Sequence, residues 1–361
     1  MAIKILCTLG PASLHAEVIR RLDRRGVDLF RLNLSHTPPG DVRETIEFIK
    51  EHTDKPLCLD VDGAQTRCGI VRPGVKIAPG DVVELTADPS VGSEHRLPLR
   101  PKALFERLQP GDLVSVDFDG ALLEIVASGH GRAEAVVHEG GKITSNRAVT
   151  IDPAPTLPAL TRDDVQSIEI GLELGIKHVA LSFARLRRDV LRLRMIAGPD
   201  AYIMSKIETR AGVRNMEPII EASDAVVIDR GDLSREIPLA HIPMHQKEII
   251  RRANERNTPA FVATNLLESM VHSRRPTVAE ANDIVNTLLD GAHGLVLAAE
   301  TTIGVDPVAT VDMVVDLIKA FEWSRGRRLL GGRTSLGARR FELQKGRAGA
   351  VPSMGRAVGG D

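Results

Sequence analysis

The stretch YIMSKIE, residues 202–208, ends an apolar run with two opposite charges, Lys206 and Glu208. In a β-strand, residues i and i+2 point to the same face, so both charged side chains lie on one side of the strand. A buried charge is tolerated when it is paired, when it binds a metal or when chemistry needs it. The pair is therefore either a structural ion pair or one part of a site built by the rest of the chain.

Seven other short apolar runs resemble this stretch, and helix-like segments separate them. Continuous apolar runs bounded by turns are typical of parallel strands that are buried on both faces. Helix signals lie between them: Thr161 and Asp164 predict a capping box, and Gly175 predicts a helix end. Eight strands alternating with helices predict an α/β fold, a (β/α)8 TIM barrel. The eight runs are residues 3–10, 27–35, 56–61, 177–183, 202–208, 225–231, 260–265 and 294–300.

The third strand is followed by a segment with a different sequence pattern, residues 70–152. Apolar and polar residues alternate there around Gly- and Asp-rich turns, which predicts a small antiparallel β-barrel domain inserted after strand 3. We therefore expect a barrel catalytic domain over residues 1–69 and 153–324. The segment 325–361 has nine basic and two acidic residues with nine glycines, and we expect this basic tail to be disordered.

The composition excludes several functional classes. The 361 residues carry a net charge of −1 and only 3% aromatic residues, which argues against nucleic acid and membranes as partners. No apolar segment approaches the roughly 20 residues of a membrane span, and the first residues do not resemble a signal peptide. The three cysteines, Cys7, Cys58 and Cys68, lack CxxC spacing, which argues against a disulfide framework and a zinc site. We expect a cytoplasmic protein.

Polar residues cluster where the predicted strands end. Side chains at the carboxyl ends of barrel strands meet around one active site. RLNLSH places Arg31, Asn33 and Ser35 at i, i+2 and i+4 of one strand face. The oxygens of Asn33, Ser35 and Asp60 are suited to a monovalent cation. The convergence of separate polar positions favours a site over isolated ion pairs.

The same strand ends offer groups for phosphoryl chemistry. Glu208 and Asp232 form an all-oxygen pair suited to Mg²⁺ or Mn²⁺, although helix capping or salt bridging is the alternative for them. Lys206 and Arg31 can neutralise the charge on a transferring phosphoryl group. Backbone amides at the sequence RGD, which enters a helix, can hold a carboxylate.

A family resemblance rests on specific strings that occur in order along the chain. They are CTLGPAS, RLNLSH, LPALTRDD, SKIETRAGVRN, RGDLSREIP, ATNLLESM, RRPTVAEANDIVN and DGAHGLVLAAET. Over roughly residues 3–322, the chain resembles the pyruvate kinase family. The resemblance implies a barrel, an inserted lid domain, and an ATP-binding phosphotransferase of glycolysis that acts on phosphoenolpyruvate and a nucleoside diphosphate.

The resemblance also implies roles for single residues. Lys206 would stabilise the transferring phosphoryl group, Arg31 would contact it, and Arg67 would be a second cationic support. Thr264 would lie beside the methylene carbon of the enolpyruvate, near the point of proton delivery. The backbone at Gly231 and Asp232 would hold the substrate carboxylate.

Ion and nucleotide sites are implied in the same way. Glu208 and Asp232 would bind Mg²⁺ or Mn²⁺, and His36 and Arg147 would contact the nucleotide. The K⁺ site would consist of Asn33, Ser35, Asp60 and the carbonyl of Val61.

Four departures from the family strings lie on the nucleotide side or beside the metal pair. DVDGAQTRCG places Asp62 where DTKGPEIRTG has a lysine. Gln65 stands where the family has either an acid or a lysine linked to K⁺ dependence, and since it is neither, K⁺ dependence is left open. AAETTIG places Ile303 at a usual lysine, and Asp229 stands where VARGD has alanine. The changes remove positive charge and add negative charge, so a polyphosphate should bind less well.

Three functions remain open on the sequence alone. The first is a pyruvate kinase-like phosphotransferase. For it we expect a homodimer and not the family-type tetramer, since near residue 321 an Arg/Gly-rich tail stands where the family continues into a C-terminal domain. The second is a pathway-specific paralogue with another acceptor, or a lyase on a pyruvate-like substrate. The third is a non-catalytic binding protein with this fold.

Overall fold

The chain begins with three parallel strands that alternate with helices. The computed structural model describes residues 2–63, 65–117, 120–155 and 157–329. The first elements are β1 (Lys4–Leu9), α1 (Ala16–Arg24), β2 (Leu29–Asn33), α2 (Val42–Lys50) and β3 (Leu57–Asp60). β1 pairs with β2 and β2 with β3, in parallel. Every β3 residue is buried, as expected for a strand covered on both faces.

The strands that follow β3 in the described residues form the insert. They are β4 (Arg67–Cys68), β5 (Lys76–Ile77), β6 (Val82–Thr86), β7 (Arg96–Arg100), β8 (Leu113–Val116), β9 (Ala121–Gly129), β10 (Arg132–Glu139), β11 (Gly141–Lys142) and β12 (Val149–Asp152). One mixed sheet runs in the order β12-β8-β9-β10-β6-β7-β4, and β11 pairs with β5 in a sheet of two strands.

The expectation of a purely antiparallel insert is wrong in one detail, because β6 and β7 are parallel. Residues 87–95 connect them, and a connection of this length can return to the starting end of the sheet, which a two-residue hairpin cannot do.

The remaining elements complete the barrel. They are α3 (Arg162–Glu173), β13 (His178–Leu181), α4 (Arg187–Ala197), β14 (Tyr202–Lys206), α5 (Arg210–Arg214), α6 (Met216–Ala222), β15 (Ala225–Asp229), α7 (Arg230–Glu236), α8 (Ile242–Glu255), β16 (Ala260–Ala263), α9 (Val278–Leu289), β17 (Gly294–Leu297), α10 (Ala299–Thr302) and α11 (Pro307–Leu329). The closed order β1-β17-β16-β15-β14-β13-β3-β2 confirms the (β/α)8 barrel.

The start of α3 confirms the predicted capping box and connects it to the strand before the insert. The side chain of Thr161 accepts from the amide of Asp164, and the Asp164 carboxylate accepts from the Thr161 amide. The other carboxylate oxygen of Asp164 accepts from the Asp62 amide at 2.9 Å. The buried Asp164 carboxylate thus links two points of the chain: Asp62, where the chain leaves the barrel for the insert, and the start of α3, where it has returned to the barrel.

Small and medium apolar side chains fill the barrel interior, among them Leu6, Ala180, Ala225 and Val296. A larger apolar cluster lies between the strands and the surrounding helices, and the insert has its own core. The strands therefore have apolar residues on both faces, and their polar residues lie mostly toward the ends, although Arg31 is in the middle of β2.

Residues Met1–Phe321, which include both the barrel and the insert, form one compact unit, and a second unit begins at Glu322. The domain boundaries given by the sequence stay predictions. α11 continues to Leu329, five residues into the predicted tail, and residues 330–361 lie outside the described residues. In the described part of the chain, no helix has the length and apolarity needed to cross a membrane.

Candidate active site

Four barrel strands deliver charged side chains to one place, three of them at their carboxyl ends. Arg31 lies on β2, Asp60 ends β3, Lys206 ends β14 and Asp229 ends β15. All four residues are buried. Charged residues are almost never buried unless they are paired, so their contacts define the site.

The ammonium group of Lys206 lies among three carboxylates. Its Nζ is 3.1 Å from Glu208 Oε2, 3.5 Å from Asp229 Oδ2 and 3.6 Å from Asp60 Oδ2. It also donates to Ser182 Oγ at 3.2 Å. Burial opposes the charge on Lys206, but the three carboxylates outweigh burial and hold its pKa above the usual range. Lys206 is thus a fixed, fully charged cation.

Arg31 is linked to Lys206 through one carboxylate oxygen. Its Nη1 donates to Asp60 Oδ2 at 2.7 Å, the same oxygen that lies near Lys206, and its Nε donates to Thr8 Oγ1 at 2.7 Å. The other oxygen of Asp60 accepts from Ser182 Oγ at 3.3 Å. Asp60 therefore fixes the spacing of two buried cations, a suitable arrangement for an anionic substrate.

Glu208, Asp229 and Asp232 form a carboxylate cluster. One ligand atom from each lies within 4.8 Å of the others. Glu208 Oε1 accepts from the Phe183 amide at 2.7 Å, whereas Oε2 is buried and makes no hydrogen bond despite the nearby ammonium group of Lys206. Carboxylate oxygens converging in this way suit Mg²⁺ or Mn²⁺.

The carboxylates of this cluster have different pKa values. Burial, reinforced by Asp232 and Asp229, raises the pKa of Glu208 to about 8. Burial also raises the pKa of Asp232, as does Asp229. Burial works against ionisation of Asp229 too, but Lys206 and Arg31 prevail and hold its pKa below the usual range. Asp229 is therefore the member of the cluster that ionises most readily.

The turn after β16 is strained at the site. Thr264 has φ +66° and Asn265 has φ +51°, and positive φ is a true outlier for a β-branched residue. Thr264 Oγ1 accepts from the Gly231 amide at 2.8 Å and lies 3.1 Å from Asp229 Oδ1. Strain held by surrounding contacts is a feature of functional positions.

The family-model match decides the family. The model described as "Pyruvate kinase, barrel domain" covers residues 1–311. The chain belongs to the pyruvate kinase family. It is an enzyme, a phosphotransferase of the pyruvate kinase type.

Curated relatives named pyruvate kinase agree with this. One from Corynebacterium efficiens is 36% identical over 326 residues, which cover 86% of this chain and 69% of the relative. One from Mycobacterium tuberculosis is 35% identical over 88% of this chain and 70% of the relative. One from Thermotoga maritima is 33% identical over 88% of this chain and 71% of the relative.

The oxygens predicted for K⁺ lie close together but are engaged. Asn33 and Asp60 are paired across β2 and β3. Asn33 Oδ1 accepts from both the amide and the hydroxyl of Ser35, at 3.1 and 2.8 Å. Ser35 is not on the strand face as expected, since it lies in a short 3-10 turn over Leu34–His36 that Asn33 caps. Val61 is buried beside Asp60.

The residues predicted to contact the nucleotide, and those near them, are spread over the barrel and the insert. His36 is exposed. Arg147 lies in the insert, where its Nη1 is 3.3 Å from Asp117 Oδ2. Arg67 Nη2 lies 3.7 Å from Asp62 Oδ1, and Ile303 is 58% exposed.

A cleft runs between the insert and the barrel beside the carboxylate cluster. One of its cavities is lined by Glu208 and Asp232 from the barrel and by Val149 and Ile151 from the β12 edge of the insert. The cluster is therefore open toward the insert, where a lid over a pyruvate kinase site is expected.

Sequence reasoning missed Ser182 and gave Asp229 no role. Ser182 directly follows β13, and a polar residue at a barrel strand end is the signal that could have identified it. The sequence marks Asp229 only as a departure from the family string, because its contact with Lys206 depends on the pairing of β14 with β15.

Proposed function

We propose that this chain transfers a phosphoryl group between phosphoenolpyruvate and a nucleoside diphosphate. The observation that carries the proposal is the pair of buried cations, Lys206 and Arg31, fixed through one oxygen of Asp60 at the barrel mouth. Fixed positive charge is what protein groups mainly contribute to phosphoryl transfer.

In the proposed reaction, the bond between phosphorus and the enol oxygen breaks, and phosphorus bonds to a terminal oxygen of the nucleoside diphosphate. The enolate that remains takes up a proton at its methylene carbon and becomes pyruvate. Lys206 and Arg31 would stabilise charge on the phosphoryl group, with Arg67 as a further cation. Thr264 would lie beside the methylene carbon.

Glu208 and Asp232 would hold the divalent ion, Mg²⁺ or Mn²⁺. The fit rests on the all-oxygen donor set and on Glu208 Oε2, a buried oxygen that makes no hydrogen bond. When bound, such an ion neutralises negative charge on substrate oxygens. The chain's own contribution is to keep these carboxylates close together, with Glu208 buried and Asp232 partly exposed toward the cleft.

The substrate carboxylate would be held by the backbone amides of Gly231 and Asp232. In the present structure these amides donate to Thr264 Oγ1 at 2.8 Å and to Asp229 Oδ1 at 3.4 Å. Binding would therefore exchange internal acceptors for a substrate oxygen. A K⁺ ion would use Asn33, Ser35, Asp60 and the carbonyl of Val61.

The nucleotide would contact His36 and Arg147. A second candidate is that another phosphoryl acceptor uses the same enolpyruvate half of the site. It is favoured by the exposed apolar side chain of Ile303 and by Asp62, which adds negative charge near Arg67.

The cytoplasm fits as the location because all three cysteines are free thiols. The homodimer stays a prediction.

Pyruvate formation from phosphoenolpyruvate and ADP, with Mg²⁺ and K⁺, tests the reaction. We expect turnover in the wild type and none in Lys206→Ala. Lys247→Ala is the matched control, since Lys247 pairs with Asp290 on the surface of α8, and it should keep wild-type activity. A wild type as inactive as Lys206→Ala would refute transfer to ADP.

Calorimetry then separates the two acceptors. Oxalate resembles the enolate of pyruvate, and it should bind in a Mg²⁺-dependent way under either candidate. ADP that binds tightly in the presence of oxalate and Mg²⁺ supports the first candidate. Oxalate binding without ADP binding supports the second.

A further inference from the structure

Asp229 is a buried carboxylate without a role in the proposed reaction. It ends β15 and caps α7, where its side chain accepts from the Asp232 amide. Its Oδ1 also lies 3.1 Å from Thr264 Oγ1, and its Oδ2 lies 3.5 Å from Lys206 Nζ. A capping role needs only one uncharged acceptor, so a second buried, charged oxygen beside Lys206 calls for another explanation.

The carboxylates around Asp229 outnumber the cations in contact with them when all of these carboxylates are ionised. Four carboxylates face this part of the barrel mouth, and the cations in contact with them are Lys206, Arg31 and Arg235, whose Nε lies 3.2 Å from Asp232 Oδ1. Lys206 is shared among three carboxylates. Buried charge without full compensation is costly, so full ionisation of the four carboxylates requires one more positive charge, which is a proton in the metal-free protein and a bound cation when an ion is present.

A separate observation shows where that charge would bind. Glu208 is 1% exposed and its Oε2 makes no hydrogen bond. Glu208 offers a ligand atom within 4.8 Å of those of Asp229 and Asp232. The charged neighbour of this oxygen is the Lys206 ammonium at 3.1 Å, which is shared with two other carboxylates. A buried carboxylate oxygen in this position, beside two further carboxylates, suits a divalent cation.

We propose that Asp229 is a third carboxylate ligand of the divalent-metal site, so that the free enzyme binds the ion before any substrate. The proposal rests on the proposed function only in placing the metal at Glu208 and Asp232. Mg²⁺ takes about six oxygen ligands, so three carboxylates still leave positions for substrate oxygens and water. An added negative ligand raises the affinity for the bare ion.

The alternative is that Asp229 acts only on the protein, by capping α7 and holding Lys206 and Thr264. Asp229→Asn separates the two, because an asparagine side chain still caps a helix and accepts from Thr264 but is a weak metal ligand. Asp62→Asn is the matched control, since it removes the same charge from a nearby carboxylate that contacts Arg67 and lies outside the cluster.

The experiment is a titration of the substrate-free protein with Mn²⁺ alone. Mn²⁺ binding is measured by calorimetry and by the loss of the electron paramagnetic resonance signal of free Mn²⁺. We expect one site in the wild type, a Kd about 10- to 100-fold weaker in Asp229→Asn, and a change below about threefold in Asp62→Asn. Thermal unfolding of each variant verifies that it is folded. Asp229→Ala, which restores the residue of the family string, is the replacement if Asp229→Asn does not fold.

Three outcomes overturn the proposal. They are equal Mn²⁺ affinity in the wild type and the Asp229 variant, equal weakening in Asp62→Asn and Asp229→Asn, and the lack of Mn²⁺ binding to the substrate-free wild type. None of these measurements involves turnover. The Mn²⁺ result can therefore be interpreted even if transfer to ADP fails. Likewise, the transfer assay can be interpreted even if Asp229 is not a metal ligand.

Discussion

The backbone amide of Gly231 donates a 2.8 Å hydrogen bond to Oγ1 of Thr264. The strained Thr264 thus occupies the amide that we propose for the substrate carboxylate. We expect Thr264→Ser to keep most of the activity, and Thr264→Ala to lower kcat by about 10²-fold, the usual contribution of a positioned proton-transfer group. Steady-state kinetics with phosphoenolpyruvate measures both. Wild-type kcat in Thr264→Ala would show that the hydroxyl has no part in the reaction.

Asp60 should be costly to remove because it separates two buried cations. Asp60→Ala leaves Arg31 and Lys206 without their shared carboxylate, and breaking a buried pair in this way costs about 3–5 kcal/mol. Urea unfolding at pH 7 measures the free energy of unfolding. Asp312→Ala, which breaks an exposed pair with Arg25, is the comparison and should cost no more than about 1 kcal/mol. Equal losses in the two variants would contradict this account of Asp60.

The thiols should be inert in the folded protein. Burial raises the pKa of Cys7 to about 12 and that of Cys68 to about 12, and Cys58 is also fully buried. Since only the thiolate reacts, about one molecule in 10⁴ is ionised at these positions at pH 8. Ellman's reagent at pH 8 should detect almost no thiol before denaturant is added and three afterwards. Rapid labelling of the native protein would show that a cysteine is more accessible than the structure indicates.

The sequence predicts the barrel because the eight apolar runs can be recognised without any knowledge of tertiary contacts. It predicts Lys206 and Glu208 as site residues because charges are rare in such runs. The sequence does not predict the parallel pairing of β6 with β7, since apolar and polar residues alternate in the same way along parallel and antiparallel strands. The strand position predicted for Ser35 is wrong because the side chain of Asn33 caps a turn where a longer strand is expected. The contact between Asp229 and Lys206 comes from strand register, which sequence periodicity does not specify.

Metal-free protein should lose stability as the pH rises, because of Glu208. Burial, with Asp232 and Asp229, raises the pKa of Glu208 from 4.5 to about 8 in the folded state. Between these values the unfolded chain releases the proton while the folded chain keeps it, so folding is favoured most below pH 4.5 and the advantage is lost as the pH approaches 8. One such proton changes the free energy of unfolding by at most about 1.4 kcal/mol per pH unit.

Urea unfolding in EDTA between about pH 6 and 8.5 measures this slope. We expect Glu208→Gln to have a flatter pH dependence than the wild type, because its side chain does not titrate. Glu248→Gln is the matched control: hydrogen bonds from Arg251 and Arg252 hold the pKa of Glu248 at about 2, so it does not titrate in this range. Identical slopes in the wild type and Glu208→Gln would mean that Glu208 is already ionised in the metal-free protein, paired with Lys206 at 3.1 Å.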